Sequence, residues 1–325
     1  MRSFTHINAH SIEEAHSLLD KYKDKAVLNA GGTDLLGVLK DEILPGYPEV
    51  VINIKTISGL DSVMENDEGL KIGPLTKLSD IANSSLIKKR YPVLAEAAHS
   101  VATPQIRNAA TIGGNLCQDV RCWYYRYPRH IGGPIQCLRK GNGPCLAVRG
   151  DNRYHAIMEG KRCFAVCPSD TAVALAALDA WISVAGTEGD RKIAITDFFS
   201  PLANVLKPGE IVKEIEVPAL TRLTKQRYLK FTLRKPVDFA IVSVASVVTV
   251  ENGFCEDARI SLGAVAPGPV RAKAAEVLLK GKQINEASAA KAAEIAMSGA
   301  KPLSMNGYKI EIAKSLIKRA LLGGG

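Results

Sequence analysis

Six of the chain's seven cysteines fall within 51 residues, at Cys117, Cys122, Cys137, Cys145, Cys163 and Cys167, in a stretch with almost no regular hydrophobic period. Between Cys117 and Arg162 lie Gly132-Gly133-Pro134, Gly141-Asn142-Gly143-Pro144 and Gly150-Asp151-Asn152, each of them a turn signal. A segment this long and this poor in apolar residues cannot fold on itself, and compact domains rarely carry such a loop without a staple. Four soft thiolates coordinating an iron–sulfur cluster or a zinc ion would supply one. The plain alternative is a group of buried free thiols, because unpaired cysteine is among the most buried residue types. Cys122, Cys137, Cys145 and Cys163 are separated by 14, 7 and 17 residues, which matches neither the paired CxxC of zinc ribbons nor a ferredoxin run. His130 and His155 share the segment and could replace one thiolate, or be ordinary hydrogen-bonded residues.

An odd cysteine count in a chain of 325 residues argues against a secreted disulfide framework. The start, Met1-Arg2-Ser3-Phe4-Thr5, lacks the features of a secretory signal, so a cytoplasmic location is expected. No run approaches the 18 or so apolar residues of a membrane span. The length favours two or three domains. The net charge of +9 is scattered rather than gathered in Lys/Arg runs, which speaks for an acidic cofactor or partner face and against a nucleic-acid arm.

Ser11-Ile12-Glu13-Glu14 reads as a capping box opening a helix through Tyr22. Ala26 to Ala30 reads as a strand that runs into Gly31-Gly32-Thr33-Asp34, with Leu35 to Lys40 helical. Strands are expected at Glu49 to Ile54 and Leu70 to Ile72, helices at Lys77 to Ser84, capped by Thr76, and at Tyr91 to Val101. Ala102 to Gln105 reads as extended and leads to a second glycine turn, Thr111-Ile112-Gly113-Gly114-Asn115. Regular structure resumes at Thr171 to Ala180, and Ile211 to Val217 reads as a strand. A boundary is expected at Ala219 to Leu223. Beyond it, strands at Tyr228 to Leu233, Ile241 to Val250 and Ala258 to Val265 precede helices at Val270 to Leu279, Glu286 to Ser298 and Tyr308 to Leu322, an order that points to a small α+β unit. The terminal Gly323-Gly324-Gly325 is expected to fray.

Gly31-Gly32-Thr33 after an apolar strand can present backbone amides to a phosphate with no Cβ in the way, and Gly113-Gly114-Asn115 could do the same. One such turn alone is as well explained by chain reversal. Two of them suggest a pyrophosphate-bearing cofactor, yet neither has the Gly-x-Gly-x-x-Gly spacing of a Rossmann site, so a different nucleotide fold is expected.

Several ordered motifs together resemble the FAD-binding medium subunit of the molybdenum hydroxylase (xanthine dehydrogenase) family. They are Ala30 to Leu36, Ile72-Gly73-Pro74-Leu75-Thr76, Thr103-Pro104-Gln105-Ile106-Arg107-Asn108, Thr111-Ile112-Gly113-Gly114-Asn115-Leu116, Pro168-Ser169-Asp170 and Arg234 to Ala240. The stretches Arg121-Cys122-Trp123-Tyr124-Tyr125, Cys137 to Gly141, Pro144-Cys145 and Lys161-Arg162-Cys163-Phe164-Ala165 are similar to the insertion that holds a 4Fe-4S cluster in 4-hydroxybenzoyl-CoA reductase and in a group of bacterial aldehyde oxidoreductases. Asn152 to Ile157 lengthens the insertion in the manner of the aldehyde oxidoreductases.

The resemblance implies an α+β fold: a two-part FAD-binding domain of the vanillyl-alcohol-oxidase type over residues 1–220, with the cluster-bearing insertion at about 117–165, and a CO dehydrogenase flavoprotein-like C-terminal domain over 221–325. It places non-covalent FAD against Gly31, Gly32, Thr33, Asp34, Leu35, Thr111, Gly113, Gly114 and Asn115. Asp170 would lie near the ribityl and flavin end, unless it only caps the following helix. It implies a large molybdenum-cofactor subunit that holds the substrate (an aldehyde, an N-heterocycle or a 4-hydroxybenzoyl-CoA type), a small 2Fe-2S subunit, a dimer of heterotrimers as one assembly, and an external electron donor or acceptor. No general acid or base is assigned, because the electron chemistry belongs to the cofactors. The rival reading is a nucleotide-binding scaffold with structural zinc.

Cys122, Cys137 and Cys145 follow from the resemblance as cluster ligands. For the fourth place, Phe164 to Val166 reads as a strand, which would separate the α-carbons of Cys163 and Cys167 by roughly 13 Å, more than one cubane easily spans. Cys167 adjoins Pro168-Ser169-Asp170 on the flavin side, and Cys117 follows the second glycine loop. Cys163 is therefore the expected fourth ligand, with Cys117, Cys167 and Cys255 left as buried thiols.

Overall fold

The structure, a computed structural model, describes residues 1–44, 46–133, 135–220, 224–235 and 237–323. Among these the strands form three sheets. The first is parallel, with the strand Val50–Asn53 between Thr5–Asn8 and Ala26–Asn29. Its crossover helix, Ile12–Tyr22, opens as expected: Ser11 accepts from the Glu14 amide at 3.0 Å, while the Glu14 carboxylate reaches one residue further back, to the His10 amide at 2.7 Å. Apolar side chains of the strands, Ile52 above all, bury against this helix.

The second sheet is antiparallel, in the spatial order Val63–Asn66, Gly69–Ile72, Ile211–Pro218, Trp181–Ala185, Arg191–Ala194. The helices Leu78–Asn83, Pro92–His99 and Asp170–Ala177 cover it, and the last is buried along its whole length. Lys77, not Thr76, holds the N-cap position of Leu78–Asn83, because the Thr76 hydroxyl is directed to the Ser62 carbonyl. Pro104–Ala109 is a helix capped by Thr103 rather than extended chain, since proline at the first helical position carries no amide that needs a partner.

The third sheet, also antiparallel, runs in the order Val270–Arg271, Phe254–Gly263, Val242–Glu251, Thr224–Phe231. The helices Lys273–Leu279, Glu286–Met297 and Tyr308–Leu322 pack on one face. In Val242–Glu251, Val242, Val244 and Val248 join that layer, while Ala245 and Val247 face the core beneath the helices Pro92–His99 and Asp170–Ala177. A strand covered on both faces reads as an unbroken apolar run. The expected helix Val270 to Leu279 therefore begins only at Lys273, because Val270 and Arg271 pair with Leu262 and Ser261. The expected boundary at Ala219 to Leu223 includes residues 221–223, and the expected terminal fraying concerns residues 324 and 325; both lie outside the described residues.

Among the described residues, the stretch from Cys117 to Arg162 is irregular as expected, with short helical turns at Arg129–Gly132, Leu138–Lys140 and Leu146–Val148. Residues 164–166 join no sheet; the Phe164 carbonyl accepts from the Ala156 amide, and the Cys167 amide donates to Ala266.

Candidate functional site

The first glycine loop leaves the strand Ala26–Asn29 and enters the helix Leu35–Asp41. Gly32 has φ +71°, a left-handed conformation that side chains disfavour. A Cβ on Gly31 would lie 2.3 Å from the Ala109 carbonyl oxygen, so this glycine lets the loop rest directly on the chain leading into the second one. Among the described residues, no acceptor takes the amides of Gly31, Gly32, Thr33, Asp34 or Leu35. Such a row of free N–H groups fits a phosphate oxygen.

The second loop is built differently. Thr111 caps the short helix Ile112–Cys117, and every amide from Ile112 to Asn115 is already engaged, by Thr76, Pro74, the Thr111 hydroxyl and the Thr111 carbonyl in turn. The expectation that Gly113 and Gly114 present free amides to a phosphate is therefore not met. Gly113 is glycine for closeness: a Cβ there would meet the Pro74 ring at 2.7 Å. Asn115 turns inward, and its Oδ1 accepts from the hydroxyls of Ser169 at 2.6 Å and Thr171 at 2.7 Å. The second loop is thereby locked to the Pro168-Ser169-Asp170 segment.

Asp170 is not the helix cap; Ser169 is, accepting from the Ala172 amide. The buried Asp170 carboxylate takes a 2.7 Å contact from Lys230 Nζ and a 2.5 Å hydrogen bond from Tyr228 Oη, both on the strand Thr224–Phe231. Burial pushes the Tyr228 phenol well above its ordinary range, and the Asp170 charge adds to this. Asp170 lines a pocket with Arg121, Cys167, Phe239 and Ser243 that holds about 280 Å³ of empty space.

The Asp34 carboxylate is committed to the cysteine-rich segment. Its Oδ1 lies 2.8 Å from an Arg121 nitrogen and 2.7 Å from Arg126 Nη2, and its Oδ2 accepts from the Asp119 amide at 2.8 Å. Asp119 in turn pairs with Arg139 at 2.8 Å. Burial, with repulsion from Arg126, pushes Arg121 down to about 10 against the pull of Asp34. Arg121 and Arg139 stand in stretches that carry the family resemblance, where no role attached to them, and Arg126 lies just beyond one of these stretches.

Cys122, Cys137, Cys145 and Cys163 line one pocket together with Tyr125 and Arg139, around roughly 330 Å³ of empty space. The first three each open a turn, their carbonyls accepting from the amides of Arg126, Lys140 and Val148. Burial pushes the Cys122 thiol up to about 11; amides of Tyr125 and Tyr124 act in the opposite direction, and the sulfurs of Cys163 and Cys145 are near enough to raise it further. Cys163 likewise feels Cys145 and Cys137. Cys167 lines the other pocket, where burial raises it to about 12. Cys255 is buried as expected; Cys117, at the end of the short helix Ile112–Cys117, keeps an exposed surface, yet burial by the atoms around it raises its thiol to about 12.

Among the described residues, no three His, Cys, Asp or Glu side chains converge where one metal ion could sit. A tetrahedral zinc ion needs sulfurs about 2.3 Å from a single centre. A cubane has four separate iron corners, so its ligands would ring a volume and not meet at one point, and the four cysteines share a pocket of this size. His130 is exposed, whereas His155 is buried with Nε2 3.2 Å from Cys122 Sγ. Burial holds His155 down at about 4.

No helix among the described residues is long and apolar enough to cross a membrane. The FAD binding domain in molybdopterin dehydrogenase matches residues 2–220, and the CO dehydrogenase flavoprotein C-terminal domain matches residues 227–323. The chain is 32% identical to the aldehyde oxidoreductase FAD-binding subunit PaoB of Escherichia coli (strain K12), over 99% of this chain and 98% of that one. It is 29% identical to the carbon monoxide dehydrogenase medium chain of Hydrogenophaga pseudoflava, over 96% and 93% of the two chains. A solved structure of carbon monoxide dehydrogenase from Hydrogenophaga pseudoflava contains a chain that matches with a TM-score of 0.79 at 28% identity, covering 99% of this chain and 97% of that one. The expectation of an α+β fold, a FAD-binding domain followed by a C-terminal domain, is met.

Proposed function

The chain belongs to the family of FAD-binding subunits of molybdopterin dehydrogenases, and from that premise we propose that it carries a 4Fe-4S cluster beside its FAD and passes electrons between a partner's molybdenum centre and an external donor or acceptor. Medium subunits of this family serve multi-subunit oxidoreductases. The finer reading is that residues 1–220 bind FAD, residues 221–325 close the site, and the partners are a large molybdenum subunit and a small 2Fe-2S subunit, in the cytoplasm. The similarity to an aldehyde oxidoreductase subunit favours an aldehyde as the partner's substrate.

One observation carries the reading: four of the six clustered cysteines line a single pocket, and the other two do not. Cys122, Cys137, Cys145 and Cys163 would hold the cluster, which supplies one-electron chemistry when bound. The free amides of Gly31 to Leu35 would take the FAD pyrophosphate. Gly113 and Gly114 would form a wall without side chains, with Thr111 and Asn115 fixing its position. Asp170, kept in place by Lys230 and Tyr228, would face the ribityl hydroxyls. Arg121 and Arg126, between the two sites, place positive charge where both cofactors are anionic.

The test is anaerobic purification of the complex, followed by iron and flavin analysis. The expected result is four irons more than the partner clusters account for, lost in Cys145→Ser. Stoichiometric zinc at that site with no additional iron would favour the scaffold reading.

A further inference from the structure

Against Cys122 stands a side chain that neither cofactor assignment uses. His155 is 3% exposed and is not among the residues lining the four-cysteine pocket, yet its Nε2 lies 3.2 Å from Cys122 Sγ. Trp123 packs edge-on against the imidazole with ring centres 5.6 Å apart, and the Tyr124 ring lies 6.1 Å away. The His155 amide donates to the Asn152 carbonyl at 3.0 Å, and its own carbonyl accepts from Asn306 Nδ2 at 3.1 Å and Lys309 Nζ at 3.0 Å. Asn152 is fully buried and bonds to Ser304 and to the Met305 amide. Residues 304–309, about 150 positions along the chain, therefore anchor the main chain from which this ring projects.

An iron-bound thiolate has no proton and can only accept, so the ring nitrogen facing it must carry the hydrogen. We propose that His155 donates an Nε2–H hydrogen bond to the Cys122 sulfur and raises the reduction potential of the cluster, with Asn306 and Lys309 as the residues that anchor the main chain from which the ring projects. The proposal rests on the reading of the four cysteines as cluster ligands. A hydrogen bond to a ligand sulfur draws electron density from it and favours the reduced, more negative cluster. One electron enters, no bond breaks, and the proton stays on the ring. Because Cys122 lines the four-cysteine pocket and His155 does not, His155 is a positioning residue and not a fifth candidate ligand.

The experiment compares the anaerobically purified complex with its His155→Asn, His155→Leu and His155→Gln variants. Iron and FAD are counted, and the midpoint of this cluster is read by EPR-monitored redox titration. Asparagine is too short to reach the sulfur and leucine has no donor, whereas a glutamine amide can reach. The expected result is unchanged iron and FAD, a shift to more negative potential in the Asn and Leu variants, and most of the shift restored in the Gln variant. If the Leu variant does not assemble, the Asn and Gln pair decides. An unshifted midpoint in the Asn variant overturns the proposal, and so does loss of one iron, which would make His155 a ligand. An unmutated complex without the additional iron defeats the cluster reading, and this inference with it; the iron content of the unmutated complex tells the two failures apart.

Discussion

Asp34 and Arg126 form an ion pair 2.7 Å long across 92 positions of the chain, joining the first glycine loop to the cysteine-rich segment. The same carboxylate pairs with Arg121 and accepts from the Asp119 amide, and Asp119 holds Arg139, two residues beyond Cys137. The loop with the free amides and the pocket with four thiols thus share one set of charges.

Asp34→Asn removes the anion from between two largely buried guanidinium groups. Breaking such a pair by deleting one partner costs about 3 kcal/mol. Denaturant titration is expected to show that loss, and iron analysis a reduced cluster content. Unchanged stability together with full iron would mean that the pair does not organise the segment.

Gly31→Ala and Gly37→Ala separate close packing from helix propensity. A Cβ at Gly31 meets the Ala109 carbonyl at 2.3 Å, whereas at Gly37 it meets nothing within 4 Å. The first is expected to push the glycine loops apart and lower FAD occupancy. The second lies inside the helix Leu35–Asp41 and is expected to stabilise by up to about 1 kcal/mol with flavin retained. Flavin absorbance per protein and thermal melts decide both; full occupancy in Gly31→Ala would remove this loop from the site.

Cys163→Ser is expected to lose the cluster, and Cys167→Ser to keep it, because Cys163 shares the pocket with Cys122, Cys137 and Cys145 while Cys167 lines the pocket of Asp170. Anaerobic iron analysis checks the pair, and the reverse pattern would overturn the assignment.

Lys309 is fully buried, with Nζ held by the carbonyls of His155 and Ala264. Burial pushes it down to about 7, far below the roughly 10.4 of an exposed lysine. Between those values the unfolded chain binds more protons, so stability rises with pH and is lowest below pH 7. Lys309 is expected to contribute roughly 1 kcal/mol of added stability between pH 7.5 and 8.5. Lys309→Met is expected to flatten that slope; equal slopes in both proteins would show that the group does not titrate there.

Elements with a strong local signal were legible in the residues. Tyr308–Leu322 matches the expected helix at both ends, and Ser11 and Glu14 fix the start of Ile12–Tyr22 through contacts within four residues. The irregular character of the cysteine-rich segment was also readable, since turn residues and missing periodicity are properties of neighbours. Val270–Arg271 was misread as helix because its strand character comes from pairing with Leu262 and Ser261, and no local propensity encodes a partner.

The same distinction runs through the two sites. Composition and order along the chain suffice to place a glycine turn after an apolar strand and to gather six cysteines in one segment. They leave open that the first turn keeps its amides free while the second uses all of its own, since the acceptors of the second include Pro74 and Thr76. They also leave open which thiols line one pocket, and that His155 lies beside Cys122, its main chain anchored by residues 306 and 309. Turns and helix caps act over three or four residues, and so are written locally. A pocket, an ion pair such as Asp34 with Arg126, or the orientation of a buried ring exists only once segments far apart in the chain have packed against one another.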